Sequence, residues 1–361
     1  MYLKDNVYEA SKKRISRIFD EFENIIVAIS GGKDSTVLLH ISLEVAKEKG
    51  RLPLKVFFID QEAEWSYTID YIRYVKSIPD VQFYWVQSPI KETQSANHEH
   101  RYFYCWEPNK DKVWIRQKEP DAFCPDDIPA IHKHKTDFTG ILEEIPNIIF
   151  GGETYAKLGG VTADESLARF GATTAALTYK DITWGSREKN GYLFYPLYDW
   201  TDDDVWVYIG KNHIKYNHIY DLMFNYGVSK PRMRVSSLFH ETAYRSMIML
   251  QELDREVYNR FCCRLNGVST FSQLGYDCEG IGKLPEMFSS WKEYRDYLLE
   301  KLVNPEFQEI FKNRWKGQDG DDWYQEHVVE IMVNDTTGTK NANAKSRRAL
   351  LQKPKKEKKG F

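Results

Sequence analysis

A glycine-rich turn, Ser30-Gly31-Gly32-Lys33-Asp34-Ser35, lies between the apolar run 25–29 and a long amphipathic segment. This order predicts a buried strand, a tight turn and a helix. Two adjacent glycines let the backbone approach an anion, and the helix-start amides, two hydroxyls and one ammonium supply partners for it. The Walker pattern differs, because it has four residues between its glycines and then Gly-Lys-Ser or Gly-Lys-Thr. The turn therefore predicts a phosphate site outside the P-loop NTPases.

The same six residues resemble the PP-loop of N-type ATP pyrophosphatases and phosphoadenosine phosphosulfate (PAPS) reductases. In those proteins, the loop binds the pyrophosphate of ATP or the phosphate and sulfate groups of a sulfonucleotide. The resemblance implies that residues 30–35 bind ATP or a related adenine nucleotide such as PAPS, and that Lys33, Asp34 and Ser35 act in catalysis. An incidental turn between a strand and a helix is the alternative.

Strands and helices alternate after the turn. The pattern predicts helices over 35–49 and from Trp65 to before Pro79, with strands over 54–59, 81–86, 147–150 and 192–195. Such alternation predicts parallel crossovers and an α/β fold with a doubly wound, mainly parallel sheet. The PP-loop resemblance implies that this sheet is of the adenine nucleotide α-hydrolase-like kind.

Changes in composition predict three parts of the chain. They are a nucleotide-binding α/β domain over 1–211 with an insertion at 87–145, a helical C-terminal appendage over 212–335, and a basic tail over 336–361. The tail has seven Lys and two Arg against one Glu, a formal charge of +8, so the rest of the chain carries −11. Its few apolar residues predict disorder, and its charge predicts either a contact with a polyanion such as DNA or a merely solvated tail.

Two glycine pairs, Gly31-Gly32 and Gly151-Gly152, follow predicted strands. In open α/β sheets, ligands bind at the carboxyl ends of strands, where the strand order reverses. If the sheet has the family's strand order, these two strands are neighbours. The nucleotide would then lie between the PP-loop and residues 151–169, with Gly152 in the binding site.

The string 159–169 is similar to a segment of PAPS reductase relatives that reads Gly-x-Arg, an acid or amide, Ser and a second Arg. The match implies that Glu165, Ser166 and Arg169 contact the nucleotide. Thr162 stands where the first Arg is common, which removes one anion contact. An exposed i,i+4 pair of Glu165 and Arg169 on a helix is the alternative.

Carboxylates follow the second predicted strand at Asp60, Glu62 and Glu64. The resemblance implies an acidic residue here near the ribose or a metal ion. Mg²⁺ bridges phosphates to one or two carboxylates, so we expect Asp34 and Asp60 to be its protein ligands. Glu62 and Glu64 are expected to cap the next helix.

The PP-loop implies attack on the α-phosphate of ATP, with release of pyrophosphate and adenylylation of an acceptor. PAPS reductase or sulfotransferase activity is not expected, because reductases carry a Glu-Cys-Gly-x-His motif that nothing here matches. Cys262-Cys263 has no later Cys-x-x-Cys to complete an iron–sulfur signature.

His and Cys residues of the insertion fit no zinc spacing, so we expect scattered surface residues there. Arg116 and its basic and aromatic neighbours in the insertion are a candidate lid.

Residues 196–209 resemble the Pro-Leu-x-Asp-Trp-Thr-x-x-Asp-Val-Trp segment of PAPS reductase-like proteins, which packs the sheet onto the next helix. Residues 217–239 resemble the immunoglobulin-binding regulator A subgroup of phage- and island-associated PAPS reductase homologues. That resemblance implies a nucleotide-responsive transcriptional coactivator, or a phage- or defence-associated regulator, acting with a ParB/sulfiredoxin-like partner. Two hypotheses follow, an adenylylating ATP pyrophosphatase and such a regulator.

Composition sets the remaining expectations. A chain of 361 residues with 42% hydrophobic residues has a substantial core, and no apolar run approaches a membrane span. The first residues do not form a signal-peptide pattern, and five cysteines argue against a disulfide framework. We therefore expect a cytoplasmic protein with reduced thiols.

Overall fold

The computed structural model describes residues 5–124, 138–165, 171, 177–230, 233–235, 237–240, 244–273 and 283–338. Its strands are β1 Asn24–Ala28, β2 Leu54–Ile59, β3 Val81–Val86, β4 Ile90–Thr93, β5 Tyr102–Cys105, β6 Tyr155–Gly159, β7 Gly185–Arg187 and β8 Gly191–Phe194. Its α-helices are α1 Val7–Glu21, α2 Lys33–Glu48, α3 Ser66–Lys76, α4 Phe138–Ile149, α5 Asp202–Lys211, α6 Ile219–Asn225, α7 Tyr244–Leu253, α8 Arg255–Arg264, α9 Val268–Gln273, α10 Trp291–Leu302, α11 Pro305–Arg314 and α12 Asp321–Met332.

Six strands form one sheet in the order β3-β2-β1-β6-β8-β7. The pairs β2·β3, β1·β2, β1·β6 and β6·β8 are parallel, and only β7 runs antiparallel to β8. A second, two-stranded sheet pairs β4 with β5. The predicted α/β class with a doubly wound, mainly parallel sheet is confirmed.

The helices cover the sheet because their apolar faces match it. Apolar residues of α1, α2, α3 and α5 form one buried cluster with alternate residues of the strands, such as Val27 and Leu158. On the opposite face, α4 packs over β6, where the Leu142 carbonyl accepts a hydrogen bond from the ammonium of Lys157. The capping box of α5, in which Thr201 and Asp204 bond to each other's backbone amides, fixes the start of that helix.

The predicted strand over 147–150 is wrong. These residues end α4, whose buried residues Ile141 and Ile145 are spaced for a helix, and the strand follows at Tyr155–Gly159. That strand is hard to recognise in the sequence, because its centre is a charged residue, Lys157, which is fully buried against Glu188 at 2.6 Å. The apolar run before it was the stronger strand signal.

This shift also corrects the place of Gly152. Gly151 and Gly152 both have positive φ and form the turn after α4, before β6 begins. In the β1·β6 register, Asn24 lies opposite Tyr155, so Gly152 lies near the amino end of the strands. The PP-loop follows the carboxyl end of β1, and Gly152 therefore lies at the opposite edge of the sheet.

The chain divides into two compact units. The first comprises 1–91, 104–237 and 252–260, and contains the six-stranded sheet. The second comprises 92–103, 238–251 and 261–361. The contacts divide the chain at other places than residue 211, and the domain limits 1–211, 212–335 and 336–361 stay a prediction.

The second unit has its own apolar core, formed by helices α10, α11 and α12. Trp315 stacks on His327 at 4.3 Å and donates a hydrogen bond to the carboxylate of Glu330, which also pairs with Arg314 at 2.7 Å. Within the ranges that the structure describes, no helix has the length and apolar character needed to cross a bilayer.

Candidate active site

The PP-loop connects the carboxyl end of β1 to the start of α2. Ser30 accepts a hydrogen bond from the amide of Gly32 and lies 3.2 Å from the hydroxyl of Ser35, which donates to the Gly32 carbonyl. Gly32 is the N-cap of α2 and offers no side chain to its amides. The first amides of a helix have no partners within the helix. The loop is therefore held in shape by its own hydroxyls, and the start of α2 presents the positive end of its dipole to an anion.

At two positions, neighbouring atoms approach the backbone so closely that only glycine fits. Gly31 has φ +74°, and a Cβ there would lie 2.8 Å from a Thr68 methyl group. At Gly160, a Cβ would lie 2.6 Å from Cα of Ser35 and 2.7 Å from its nitrogen. Gly160 follows β6, so the backbone after this strand passes directly against the start of α2. Gly159-Gly160 is therefore the second glycine pair at the PP-loop, in place of Gly151-Gly152.

This position is the topological switch point of the sheet. From β1 the chain adds β2 and β3 on one side, whereas β6 pairs with β1 on the other. Ala28 of β1 lies opposite Gly159 of β6, so both strands end at the same level. In sheets of this kind ligands bind in the crevice outside such strand ends. The sequence predicts that the strand before the PP-loop and the strand before a second glycine pair are neighbours. This is confirmed for β1 and β6, with β6 in place of the predicted strand 147–150.

Lys33 lies between two carboxylates. Its ammonium is 2.9 Å from Oδ2 of Asp34 and 2.9 Å from Oδ1 of Asp202, the first residue of α5. Burial works against the charge, but attraction to the carboxylates outweighs it, and the pKa of Lys33 lies above its usual value. Asp202 was not a sequence candidate, because its acidic helix start is explained by capping alone.

Residues from the predicted helical appendage also reach the PP-loop. Asn217 donates a hydrogen bond from its side-chain amide to the Gly31 carbonyl at 3.1 Å. The hydroxyl of Tyr220 accepts one from the amide of Lys33 at 3.0 Å, and burial raises the pKa of Tyr220 to about 12. Both residues belong to the first compact unit. Both side chains bond to the backbone of the loop, a contact that the sequence analysis does not predict.

Asp60 is fully buried at the carboxyl end of β2. Its Oδ2 accepts hydrogen bonds from the Trp85 indole at 2.7 Å and the Gln87 amide at 2.9 Å. Its Oδ1 accepts one from the amide of Glu62 and forms an ion pair with Arg116. Four donors thus occupy this carboxylate, and the predicted binding of Mg²⁺ would require some of them to move away.

The sequence predicts that Glu62 and Glu64 cap α3, and this prediction is wrong. Glu62 accepts hydrogen bonds from the amides of Trp106 at 2.6 Å and Ile115 at 3.2 Å. The amide at the start of α3 is bonded instead by Asp254, at 2.7 Å. Burial, followed by repulsion from Asp60, raises the pKa of Glu64 to about 8. The carboxylates after β2 therefore hold the insertion segment 106–116 against the sheet edge.

The basic and aromatic residues of that segment contact one another. The guanidinium of Arg116 lies 5.1 Å from the ring centre of Trp106, and Trp106 packs edge-on against Trp114 at 5.4 Å. Lys118 lies over Trp114 at 5.3 Å. These side chains form a cation–π cluster beside Asp60, and their proposed role as a lid stays a prediction.

The remaining sequence candidates are placed only in part. Residues 163–165 form a short 3₁₀ turn whose first amide bonds to the Tyr198 carbonyl, and Thr162 is buried. Ser166 and Arg169 lie outside the described residues, as do His132, His134, Cys278 and most of the tail. In the segment 196–209, Asp199 pairs with Arg14 at 2.6 Å, and the Trp200 indole donates to Ser11. These contacts agree with a packing role.

The residues around Lys33 fit a magnesium ion. Asp34 is 8% exposed, and its Oδ1 is buried with no hydrogen-bond partner among the residues that the structure describes. Oδ2 of Asp202 is buried in the same way. Mg²⁺ on a nucleotide takes only one or two protein carboxylates. Over the described ranges, no group of three or more His, Cys, Asp or Glu side chains is arranged to hold a metal ion.

Comparisons with known proteins give the family of this chain. The family model "Phosphoadenosine phosphosulfate reductase domain" matches residues 24–125 and 143–263, and "Domain of unknown function (DUF3440)" matches 227–345. The uncharacterized protein YbdN of Escherichia coli (strain K12) is 29% identical over 90% of this chain and 82% of its own length. Sulfate adenylyltransferase subunit 2 of Mycolicibacterium gilvum (strain PYR-GCK) is 24% identical over 57% of this chain, and the match spans only 60% of that protein.

Solved structures give weaker overlaps. The FMN adenylyltransferase of Candida glabrata superposes with a TM-score of 0.38 at 15% identity, covering 61% of this chain and 62% of that one. The PAPS reductase of Candida auris, in a phosphate complex, superposes with a TM-score of 0.34 at 15% identity, covering 62% of this chain and 93% of that one.

Proposed function

We propose that this chain, which belongs to the phosphoadenosine phosphosulfate reductase domain family of adenine nucleotide-binding PP-loop proteins, binds ATP and transfers its AMP group to an acceptor, with release of pyrophosphate. The observation that supports this most is the PP-loop at the switch point. There the hydroxyls of Ser30 and Ser35, the start of α2 and the buried Lys33 surround one place at the carboxyl ends of β1 and β6.

The reaction needs no nucleophile from the protein. A nucleophilic group of the acceptor attacks the α-phosphorus, the bond from that phosphorus to the β-bridging oxygen breaks, and pyrophosphate leaves with the electron pair. The acceptor's proton passes to solvent. Lys33 and the amides of the PP-loop stabilise the charge that grows on the departing pyrophosphate. Mg²⁺, when bound, would neutralise part of the phosphate charge.

Two observations favour ATP over a sulfonucleotide. The sequence has no Glu-Cys-Gly-x-His string, and Thr162 stands where PAPS reductase relatives often have an arginine. In addition, one relative is a sulfate adenylyltransferase subunit by its description. Adenylyl transfer therefore accounts for the retained loop better than sulfonucleotide reduction does.

A second candidate function is nucleotide-responsive regulation with a ParB/sulfiredoxin-like partner, and with DNA held by the basic tail. The charge of +8 over residues 336–361 favours this candidate. It requires nucleotide binding at the same loop, but no pyrophosphate release.

The test is to measure ATP binding by calorimetry and pyrophosphate release with Mg²⁺, with and without DNA and a candidate partner. We expect Lys33→Met to lose pyrophosphate release, while Lys47→Met, at the exposed far end of the same helix, leaves it unchanged. ATP binding without release under any condition would favour the regulator, and the absence of ATP binding would refute both functions.

A further inference from the structure

The cluster formed by Lys33, Asp34 and Asp202 carries an excess of negative charge although it is largely buried, with side chains that are 5%, 11% and 24% exposed. Two carboxylates share one ammonium, each at 2.9 Å, and the lysine side chain is 5% exposed. The three side chains together therefore carry a formal charge of −1. A buried charge excess of this sign is stabilised by a further positive charge.

Each carboxylate also has an oxygen to spare. Oδ1 of Asp34 and Oδ2 of Asp202 are both buried, and neither bonds to a described residue. Asp34 is the second residue of α2 and Asp202 the first of α5, so two helix starts meet at this place. By contrast, both carboxylate oxygens of Asp60 are engaged by protein groups, namely three hydrogen-bond donors and the guanidinium of Arg116.

We propose that Asp34 and Asp202 form a divalent-cation site whose place the ammonium of Lys33 occupies in the nucleotide-free protein. When the nucleotide binds, Lys33 turns toward its phosphates, and the cation that accompanies the nucleotide takes the position between the carboxylates. Asp202 then serves as the second protein carboxylate, in place of Asp60. The nucleotide-driven step rests on the proposed function, whereas the cation site itself does not.

Oxygen ligands on two short side chains suit Mg²⁺ or Mn²⁺, since these ions usually take one or two carboxylates and complete their shell with water and phosphate. The neighbouring Asp203 provides a matched control. It lies in the same first turn of α5 and has the same charge and helix-dipole position, but its side chain is 82% exposed and points to Lys230 at 3.6 Å.

The test uses Mn²⁺ binding to the full chain, followed by loss of the free-ion EPR signal, without nucleotide. Lys33→Met empties the position between the carboxylates and should bind Mn²⁺ at least about tenfold more tightly than the unmodified chain. Adding Asp202→Asn should remove this gain, while adding Asp203→Asn should keep it. An equal affinity of the unmodified chain and Lys33→Met, or a gain that survives Asp202→Asn, would overturn the proposal.

If circular dichroism shows that Lys33→Met does not fold, Asp202→Asn and Asp203→Asn are compared in the otherwise unmodified chain, with Mn²⁺ and α,β-methylene-ATP. Asp202→Asn should then weaken Mn²⁺ binding at least about tenfold relative to Asp203→Asn, and equal affinities would refute the site. A chain that binds no nucleotide but still shows the Mn²⁺ gain and its loss would refute the proposed function and leave the cation site standing.

Discussion

Two groups of buried charges lie at the carboxyl ends of neighbouring strands. After β1, the Lys33 cluster, made of Lys33, Asp34 and Asp202, keeps carboxylate oxygens that bond to no described residue. After β2, the Asp60 cluster, made of Asp60, Glu64 and Arg116, has its central carboxylate bonded by four protein donors. Both clusters contain acidic residues at a sheet edge where ligands bind. The first cluster thus keeps oxygens for a ligand, whereas the central carboxylate of the second is engaged by protein groups and helps to hold the insertion segment in place.

The largest effect is expected from Asp60→Asn. It would remove the carboxylate that pairs with the buried guanidinium of Arg116, and losing one partner of a buried pair costs about 3–5 kcal/mol of unfolding free energy. Urea unfolding measures this loss. Asp70→Asn removes an exposed partner of Arg73 and should cost less than about 1 kcal/mol. If folded Asp60→Asn binds Mn²⁺ more weakly than the unmodified chain, Asp60 takes part in cation binding and the contrast between the two clusters is wrong.

Lys33→Met tests the first cluster. Removing one charge that stabilises the departing pyrophosphate should lower pyrophosphate release about 100-fold or more. The rate is measured with saturating ATP and Mg²⁺, and scaled by the folded fraction. A loss of stability without any loss of release would mean that Lys33 is as structural as Arg116.

Glu64→Gln tests the Asp60 cluster through the pH dependence of the free energy of unfolding. The pKa of Glu64 is raised to about 8 in the folded chain, so the folded state holds a proton that the unfolded state releases above about pH 4.3. The unmodified chain therefore loses stability as pH rises from about 4.3 to 8, and Glu64→Gln avoids this loss. We expect the stability of Glu64→Gln relative to the unmodified chain, measured by urea unfolding, to rise by at least about 2 kcal/mol between pH 5 and pH 8.5. A constant difference across this range would show that Glu64 is ionised throughout.

Gly160→Ala should have the smallest effect. Its methyl group would press on the backbone of Ser35, which shifts the PP-loop and should weaken ATP binding about tenfold. Gly210→Ala, in α5, meets no atom of the described residues within 4 Å and should leave ATP affinity unchanged. Calorimetry compares the two variants, and equal affinities would mean that the contact with Ser35 does not position the loop.

Much of the sheet could be predicted from local patterns. The strands after the PP-loop, 54–59 and 81–86, were found with their observed bounds because each ends in four consecutive apolar residues, with its polar residue, Lys55 or Gln82, only at the second position. β6 was missed because it has five residues with the charged Lys157 at its centre, which leaves no apolar run. Its charge is compensated by Glu188 and the Leu142 carbonyl, which lie elsewhere in the chain, and burial lowers the pKa of Lys157.

The candidate site divides in the same way. The sequence by itself determined the PP-loop, because two glycines, a lysine and two hydroxyls must be adjacent to form such a turn between a strand and a helix. Only the tertiary structure brought Asp202, Tyr220 and Gly160 to that loop and filled the acceptors of Asp60. The physical reason is that a phosphate turn is made of consecutive residues, whereas a buried charge is balanced by whichever side chains the fold places beside it.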